Sequence, residues 1–311
     1  MTKSINSPEG WIIDTPENKK AISSPTTLSE AEASEKILEA NVTMCDAEHN
    51  LIVELGCMKG IIPREEGAIG IKEGKVRDIA LISRVGKPVS FIVKKIKTDK
   101  FGRLYAELSR KSAQEKCLSE YLLKLHKGSV INARITHLEN FGAFCDIGCG
   151  IIALLPIDAI SVSRISHPRD RFYVGDDIKV IIKSVDCDGK ITLSHKELLG
   201  TWEENAANFK EGQTVFGVIR SVENYGVFVE LAPNLAGLAE PRLDAFTGMT
   251  ASVFIKSIIP EKMKIKLIII DCFDGKYSKE FDYFYDGEEL DKWQYSPDSC
   301  PKNIYTDFKA E

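Results

Sequence analysis

A chain of 311 residues is long for one hydrophobic core and has room for two or three domains. With 43% apolar and 28% charged residues it reads as globular, and a formal net charge of −5 argues against a general binder of polyanions. The longest apolar stretches, such as Ile151 to Pro156 and Leu267 to Ile270, are too short to span a bilayer.

Nothing at Met1 to Pro8 leads into an apolar run, so no secretory leader and no membrane partner are expected. Eight scattered cysteines lack a disulfide-like framework, which fits a reducing, cytoplasmic setting. Charge is unevenly spread. From Lys59 to Lys111 there are fourteen basic residues against six acidic, and from Asp271 to Glu311 eleven acidic against five lysines. The first stretch is a candidate docking or binding surface.

Residues 1–36, rich in Ser, Thr, Pro, Glu and Lys, are expected to be disordered. A first module follows at 37–111. Leu51 to Gly56, Gly60 to Pro63 and Arg103 to Ser109 read as its strands. Leu118, Leu122 and Leu125 share a helical face in a linker at 112–126.

The second module, 127–197, is the clearest. It has an alternating strand from Val130 to Ile135, an aromatic strand, and a turn at Gly148 and Gly150. An apolar run from Ile151 to Leu155 follows, then a polar crossing ending at Gly175-Asp176-Asp177. Two last strands, Ile178 to Val185 and Lys190 to Ser194, are joined by the turn Asp186-Cys187-Asp188-Gly189. Five short strands in about seventy residues suit a small closed barrel of the OB type.

Leu199, Trp202, Ala206 and Phe209 mark a helical linker at 198–210. A third module spans 211–270 with a shortened connection around Pro241 to Gly248. The tail, 271–311, mixes many acids with aromatic residues, among them Phe281, Tyr283, Phe284, Tyr285, Trp293, Tyr295, Tyr305 and Phe308. Its aromatic content is too high for simple disorder, so it is expected to fold onto the third barrel. Asp286-Gly287 offers one site for a hairpin. The expected fold is therefore all-β: three tandem five-stranded OB barrels joined by short helices, with an extra C-terminal segment.

The peptide Asn140-Phe141-Gly142-Ala143-Phe144-Cys145-Asp146-Ile147 carries the most information, because it recurs 84 residues later as Asn224-Tyr225-Gly226-Val227-Phe228-Val229-Glu230-Leu231. Gly128 with Gly212, Ile135 with Ile219 and Glu139 with Glu223 repeat at the same offset, the mark of a tandem array. Paired rings offer stacking surfaces to bases. Residues three apart on an ideal strand point to opposite faces. Either Gly142 and Gly226 mark a bulge that re-aims one ring, or one ring of each pair is core.

The second module resembles the S1 RNA-binding domain. The matching elements are Phe141-Gly142-Ala143-Phe144, Asp146-Ile147-Gly148, Gly175-Asp176 and Lys190-Ile191-Thr192-Leu193-Ser194 followed by Lys196. The third module is similar through Tyr225-Gly226-Val227-Phe228 and Gly237-Leu238, and the first only weakly. The resemblance implies an RNA face made of Phe141, Phe144, Asp186 and Lys190 in the second module, and of Tyr225, Phe228 and Lys264 in the third. Arg134 and Lys183 join Lys190 as cations expected to meet phosphates.

The sequence also departs from the family pattern. Pro156 replaces the family histidine in the second module, and Glu240 does so approximately in the third. Pro260 stands where the third module's hairpin Asp belongs. In the first module His49 and Ile52 fall near the aromatic positions, leaving no stacking pair. Lys94, Lys95, Lys97, Lys100 and Arg103 cluster near its last hairpin, where a phosphate or an acidic partner would sit.

No phosphate-binding Gly-rich loop ending in Lys-Ser or Lys-Thr occurs, nor a Gly-x-Ser-x-Gly elbow, nor paired histidines at metal spacing. Cys145 and Cys149 with Cys187 lack a second close pair. The expectation is a non-enzymatic binder of single-stranded messenger RNA acting in translation, without cofactor or metal. The basic first repeat would face the small ribosomal subunit. A protein-interaction scaffold built on degenerate barrels is the rival reading.

Overall fold

The computed structural model describes residues 7–187, 189–275 and 281–309. Three closed five-stranded barrels follow one another along the chain. The first uses β1 (Leu38–Cys45), β2 (Leu51–Leu55), β3 (Met58–Ile62), β4 (Pro88–Thr98) and β5 (Leu104–Ser109). The second uses β6 (Val130–Glu139), β7 (Gly142–Asp146), β8 (Ile152–Pro156), β9 (Asp177–Val185) and β10 (Ile191–Ser194). The third uses β11 (Thr214–Glu223), β12 (Gly226–Ala232), β13 (Leu235–Ala239), β14 (Thr250–Ile259) and β15 (Lys264–Phe273). In each, the third strand runs parallel to the fifth and the fourth closes onto the first, which is the order of an OB barrel.

Alternation drives closure. Along β6 Ile131, Ala133 and Ile135 are buried, and the residues between them face outward. Among the described residues, no helix is long and apolar enough to cross a membrane. Two compact units are distinguished. One comprises the chain up to Leu125 with Asn132–Arg134 and Asp146–Ile152; the other comprises His126–Ile131, Ile135–Cys145 and everything from Ala153.

In the first unit, the expectation of disorder over residues 1–36 is corrected for residue 7 onward; residues 1–6 lie outside the described residues. Two helices, α1 (Pro16–Ala21) and α2 (Pro25–Ala33), start with Pro at the first turn and with Thr15 and Ser24 as N-caps. Leu28, Ala31 and Ala21 join the core around β1 and β4.

One acid of this segment, Glu9, is held in a buried network. Glu9 receives Arg110 Nε at 2.7 Å and Nη2 at 3.0 Å, and Arg84 Nη1 lies 3.3 Å away. The Glu9 N–H donates to Asp146 Oδ2 at 2.8 Å, and Gly148 and Gly150 donate their N–H groups to Asp146 Oδ1. Glu39 accepts from the N–H groups of Gly10 and Ile12 and from Ser90 Oγ. Composition could not show this, because each of these groups finds its partner far away in sequence.

The unit also contains α3 (Ile79–Ile82) and α4 (Arg110–Glu120). The buried face of α4 is Arg110, Ala113, Gln114 and Cys117, whereas Leu118 is only half-buried. Of the expected stripe Leu122 is buried, but it and Leu125 lie beyond the end of α4.

In the second unit, α5 (Trp202–Ala206) opens with a capping box between Thr201 and Glu204. The C-terminal segment packs onto the third barrel's core and onto a separate apolar cluster at β9. Trp293 and Tyr295 are buried in the third barrel's core, and Phe308 packs with Ile181 and Leu198. The strand pair is β16 (Lys292–Gln294) with β17 (Tyr305–Asp307), and no paired strands flank Asp286-Gly287 among the described residues. Residues 276–280 and 310–311 of the expected segment lie outside the described residues. Phe281 and Tyr283 enclose the buried His195 together with Phe172. Burial pushes the His195 pKa down to about 4, so the ring is neutral and accepts its place in an apolar cluster.

Candidate nucleic-acid interface

The sequence puzzle of two rings three residues apart is resolved by where β7 begins. Phe141 lies in the β6–β7 turn, outside the strand, and is 56% exposed. Phe144 is on β7 and points outward, half-buried, between the buried Ala143 and Cys145. The rings meet edge to face at 5.9 Å, and neither belongs to the core.

Gly142 opens β7, and its counterpart Gly226 is paired with Glu223 without a bulge. A Cβ on Gly142 would sit 2.5 Å from the Leu155 carbonyl oxygen, so the residue serves the close approach of β7 to β8. Gly226 meets the Ala239 carbonyl oxygen in the same way, also at 2.5 Å. Between β11 and β12 of the third barrel the register shift lies instead between Ile219 and Ser221.

A third ring completes the second barrel's face and was missed in the sequence. The exposed imidazole of His137, on β6, stacks on Phe144 at 6.2 Å with 27° between planes, and bonds Glu139 at 2.6 Å. The signal was available by counting register across the short β6–β7 turn, which sets residue 137 opposite 144. Its counterpart in the third barrel, Ser221, pairs with Phe228. Leu154 on β8 pairs with Thr192 on β10.

The expected cations and acids fall into distinct roles. Asp186 caps the β9–β10 hairpin: its Oδ1 accepts the Lys190 N–H at 2.8 Å, and its own N–H donates to the Lys190 carbonyl. Asp188 of that turn lies outside the described residues. The Lys190 side chain is exposed at the start of the β10 edge, and Lys183 is half-buried on β9. Arg134 is engaged otherwise, since its Nη1 donates to the Glu9 carbonyl at 3.0 Å.

In the third barrel Tyr225 is 67% exposed and meets the half-buried Phe228 edge to face at 6.1 Å. Pairing runs Ser221–Phe228–Leu238–Lys266 across β11, β12, β13 and β15. Lys266, exposed, therefore stands in the row of the ring, two residues beyond the expected Lys264 on the same side of β15. A parallel register of this kind is not readable from sequence. Glu240 is exposed at the end of β13.

The equivalent row of the first barrel is Met44–Ile52–Ile61–Glu107. It is aliphatic and ends in an acid paired to Lys97. His49 sits in the β1–β2 turn with φ +64°. The barrel's exposed ring is elsewhere. Phe101, 69% exposed at the β4–β5 hairpin tip, has Lys100 Nζ 5.2 Å and the Arg103 guanidinium 5.4 Å from its centroid. Asp99 Oδ1 fixes that turn by accepting the N–H groups of Phe101 and Arg103.

Residues 124–196 match the family model of the S1 RNA binding domain. The second barrel is an S1 domain. The chain is similar to the small ribosomal subunit protein bS1 of Staphylococcus aureus, with 30% identity over 214 residues, 68% of this chain and 52% of that protein. A bS1 homolog of Bacillus subtilis is 33% identical over 60% of this chain and 48% of its own length. The chain thus spans about half the length of the curated relatives it matches.

A crystal structure of a multidomain protein with nucleic acid binding domains from Streptococcus pneumoniae is 13% identical. It covers 76% of this chain and 74% of that one, with a TM-score of 0.25 that carries no weight. Within the S1 domain, the family match contains all three rings, the hairpin Asp186–Lys190 and Lys183. Among the described residues no group of three His, Cys, Asp or Glu side chains is placed to hold a metal; Cys145 and Cys149 are buried and Cys187 is exposed.

Proposed function

We propose that this chain binds single-stranded RNA without catalysing a reaction, and that it acts on messenger RNA during translation. The observation that carries the reading is the exposed ring cluster of His137, Phe141 and Phe144 on a barrel that matches the S1 RNA binding domain. Three rings on one face stack bases, each stacked base contributing roughly 1–3 kcal/mol. Lys190 and Lys183 supply positive charge along the strands that flank the rings. The third barrel adds a second, weaker face of Tyr225, Phe228, Lys264 and Lys266, with Glu240 repelling phosphate. The first barrel, aliphatic in the corresponding row, contributes its basic hairpin as a contact to phosphate or to the small ribosomal subunit. The names of the relatives support a setting in translation.

A scaffold role has one observation in its favour. Phe216 and Phe273 meet at 5.8 Å on the outer wall of the third barrel, and Ile268 and Ile270 are exposed on the same strand as Phe273.

Competition binding decides between the readings. With a labelled oligouridylate bound to the full chain, unlabelled single strand is expected to displace it at least tenfold more readily than duplex DNA of equal length. Equal competition, or no binding of the oligouridylate, removes the RNA reading.

A further inference from the structure

In the second unit, a cavity of about 290 Å³ opens where the segment after β8 meets β11 and β12. Its wall is built on one shared carboxylate. Glu230 Oε2 accepts from Arg171 Nη2 at 2.5 Å and from Arg220 Nε at 2.8 Å, and its Oε1 accepts from Arg220 Nη2 at 3.2 Å. The two guanidiniums are almost withdrawn from water, their side chains 4% and 13% exposed.

The second acid of the wall pairs with Arg220 only at longer range. Asp170 lies 3.8 Å from Arg220 Nη1, outside hydrogen-bonding range, and its Oδ2 already accepts from the Ser166 N–H and hydroxyl and the His167 N–H. Arg169, exposed on the same wall, has no ion pair among the described residues. Arg171 Nε is buried without an acceptor. Among the described residues, three guanidiniums thus face two carboxylates on this wall, which leaves one positive charge in excess and the buried Arg171 Nε without an acceptor. An arrangement of this kind is costly unless an anion completes it.

The lining also has an aromatic part. Tyr173 is 59% exposed, and the half-buried Phe281 is held by Phe172 at 5.4 Å. The volume lies at the lower end of small-ligand pockets, enough for one nucleotide rather than a run of strand.

We propose that this cavity binds a phosphorylated nucleoside. Arg220 Nη1 and Arg169 take the phosphate, and Tyr173 offers a face to the base. Arg171 and Glu230 are positioning residues that hold Arg220 in place. The ligand is either a free nucleotide or one nucleotide of an RNA strand, and the two sources share this chemistry.

The test is calorimetric titration of the full chain with UMP, inorganic phosphate and an oligouridylate, on the parent and on Arg169→Ala, Tyr173→Ala and Phe141→Ala. Both cavity side chains are exposed, so unchanged thermal unfolding of the first two variants is expected and is checked. UMP is expected to bind the parent and to lose about tenfold or more in affinity in each cavity variant. Inorganic phosphate should respond to Arg169→Ala alone.

Should UMP fail to bind while Arg169→Ala weakens the oligouridylate, the nucleotide belongs to a strand and the site stands. Unchanged affinity of Arg169→Ala and Tyr173→Ala for both UMP and the oligouridylate overturns it. Phe141→Ala separates the two sites, because it lowers oligouridylate affinity through the ring face and leaves the UMP response as it was.

Discussion

Glu9, Glu39 and Asp146 illustrate how a buried carboxylate is read from its neighbours. Burial works against the charge of Glu9, but Arg110 and Arg84 outweigh it and hold the group below its ordinary pKa. Glu39 has no cation beside it. Burial, with the charge of Glu9 adding, pushes it up to about 7 in spite of its three hydrogen-bond donors. Asp146 is raised to about 7 for the same two reasons.

For a carboxyl raised in this way, the folded state holds a proton that the unfolded state has already released. Its contribution to stability is complete below the ordinary value near 4.5 and is lost as pH rises through about 7. Glu9 acts in the opposite sense and loses its contribution as pH falls below the ordinary range. The midpoint of thermal unfolding should therefore fall between pH 5.5 and pH 8, and Glu39→Gln should narrow that fall. An equal fall in parent and variant would show that Glu39 does not titrate there.

At the scale of elements, the strands of the second and third barrels were legible because alternation and turn residues agree, as in Ile131, Ala133 and Ile135 of β6. The two rings were legible as a pair, but their presentation depends on β7 starting at Gly142, and strand ends are weakly encoded. The N-terminal helices were not legible. The stretch leading into them is held at Glu9 by Arg84, Arg110 and Asp146, contacts at separations of up to 137 residues.

The tail was legible as folded, though not in its pairing, since β16 and β17 are short and ten residues apart. Trp293 on β16 is buried in the third barrel's core, and Trp293→Ala is expected to cost roughly 3–5 kcal/mol in chemical denaturation. Its indole N–H is buried without an acceptor, so Trp293→Phe should cost clearly less. A Phe variant as unstable as the Ala variant would mean that the N–H is satisfied after all.

At the scale of the whole molecule, three copies of one barrel have been specialised by what occupies the same outward row. The second barrel has the rings of His137 and Phe144; the third has Phe228 and Lys266. The first has aliphatic residues and Glu107, with its ring moved to a basic hairpin. Modules that bind unequally still raise overall affinity when one strand engages more than one of them, because the second contact is intramolecular. Deleting the best module's ring should then dominate the loss.

The most direct measurement is titration of the full chain, and of Phe141→Ala and Tyr225→Ala, with one labelled single-stranded RNA. The expected result is a loss of roughly 1–3 kcal/mol for Phe141→Ala, a smaller loss for Tyr225→Ala, and unchanged thermal unfolding for both. Parent-like affinity of a folded Phe141→Ala variant would contradict base stacking on the second barrel.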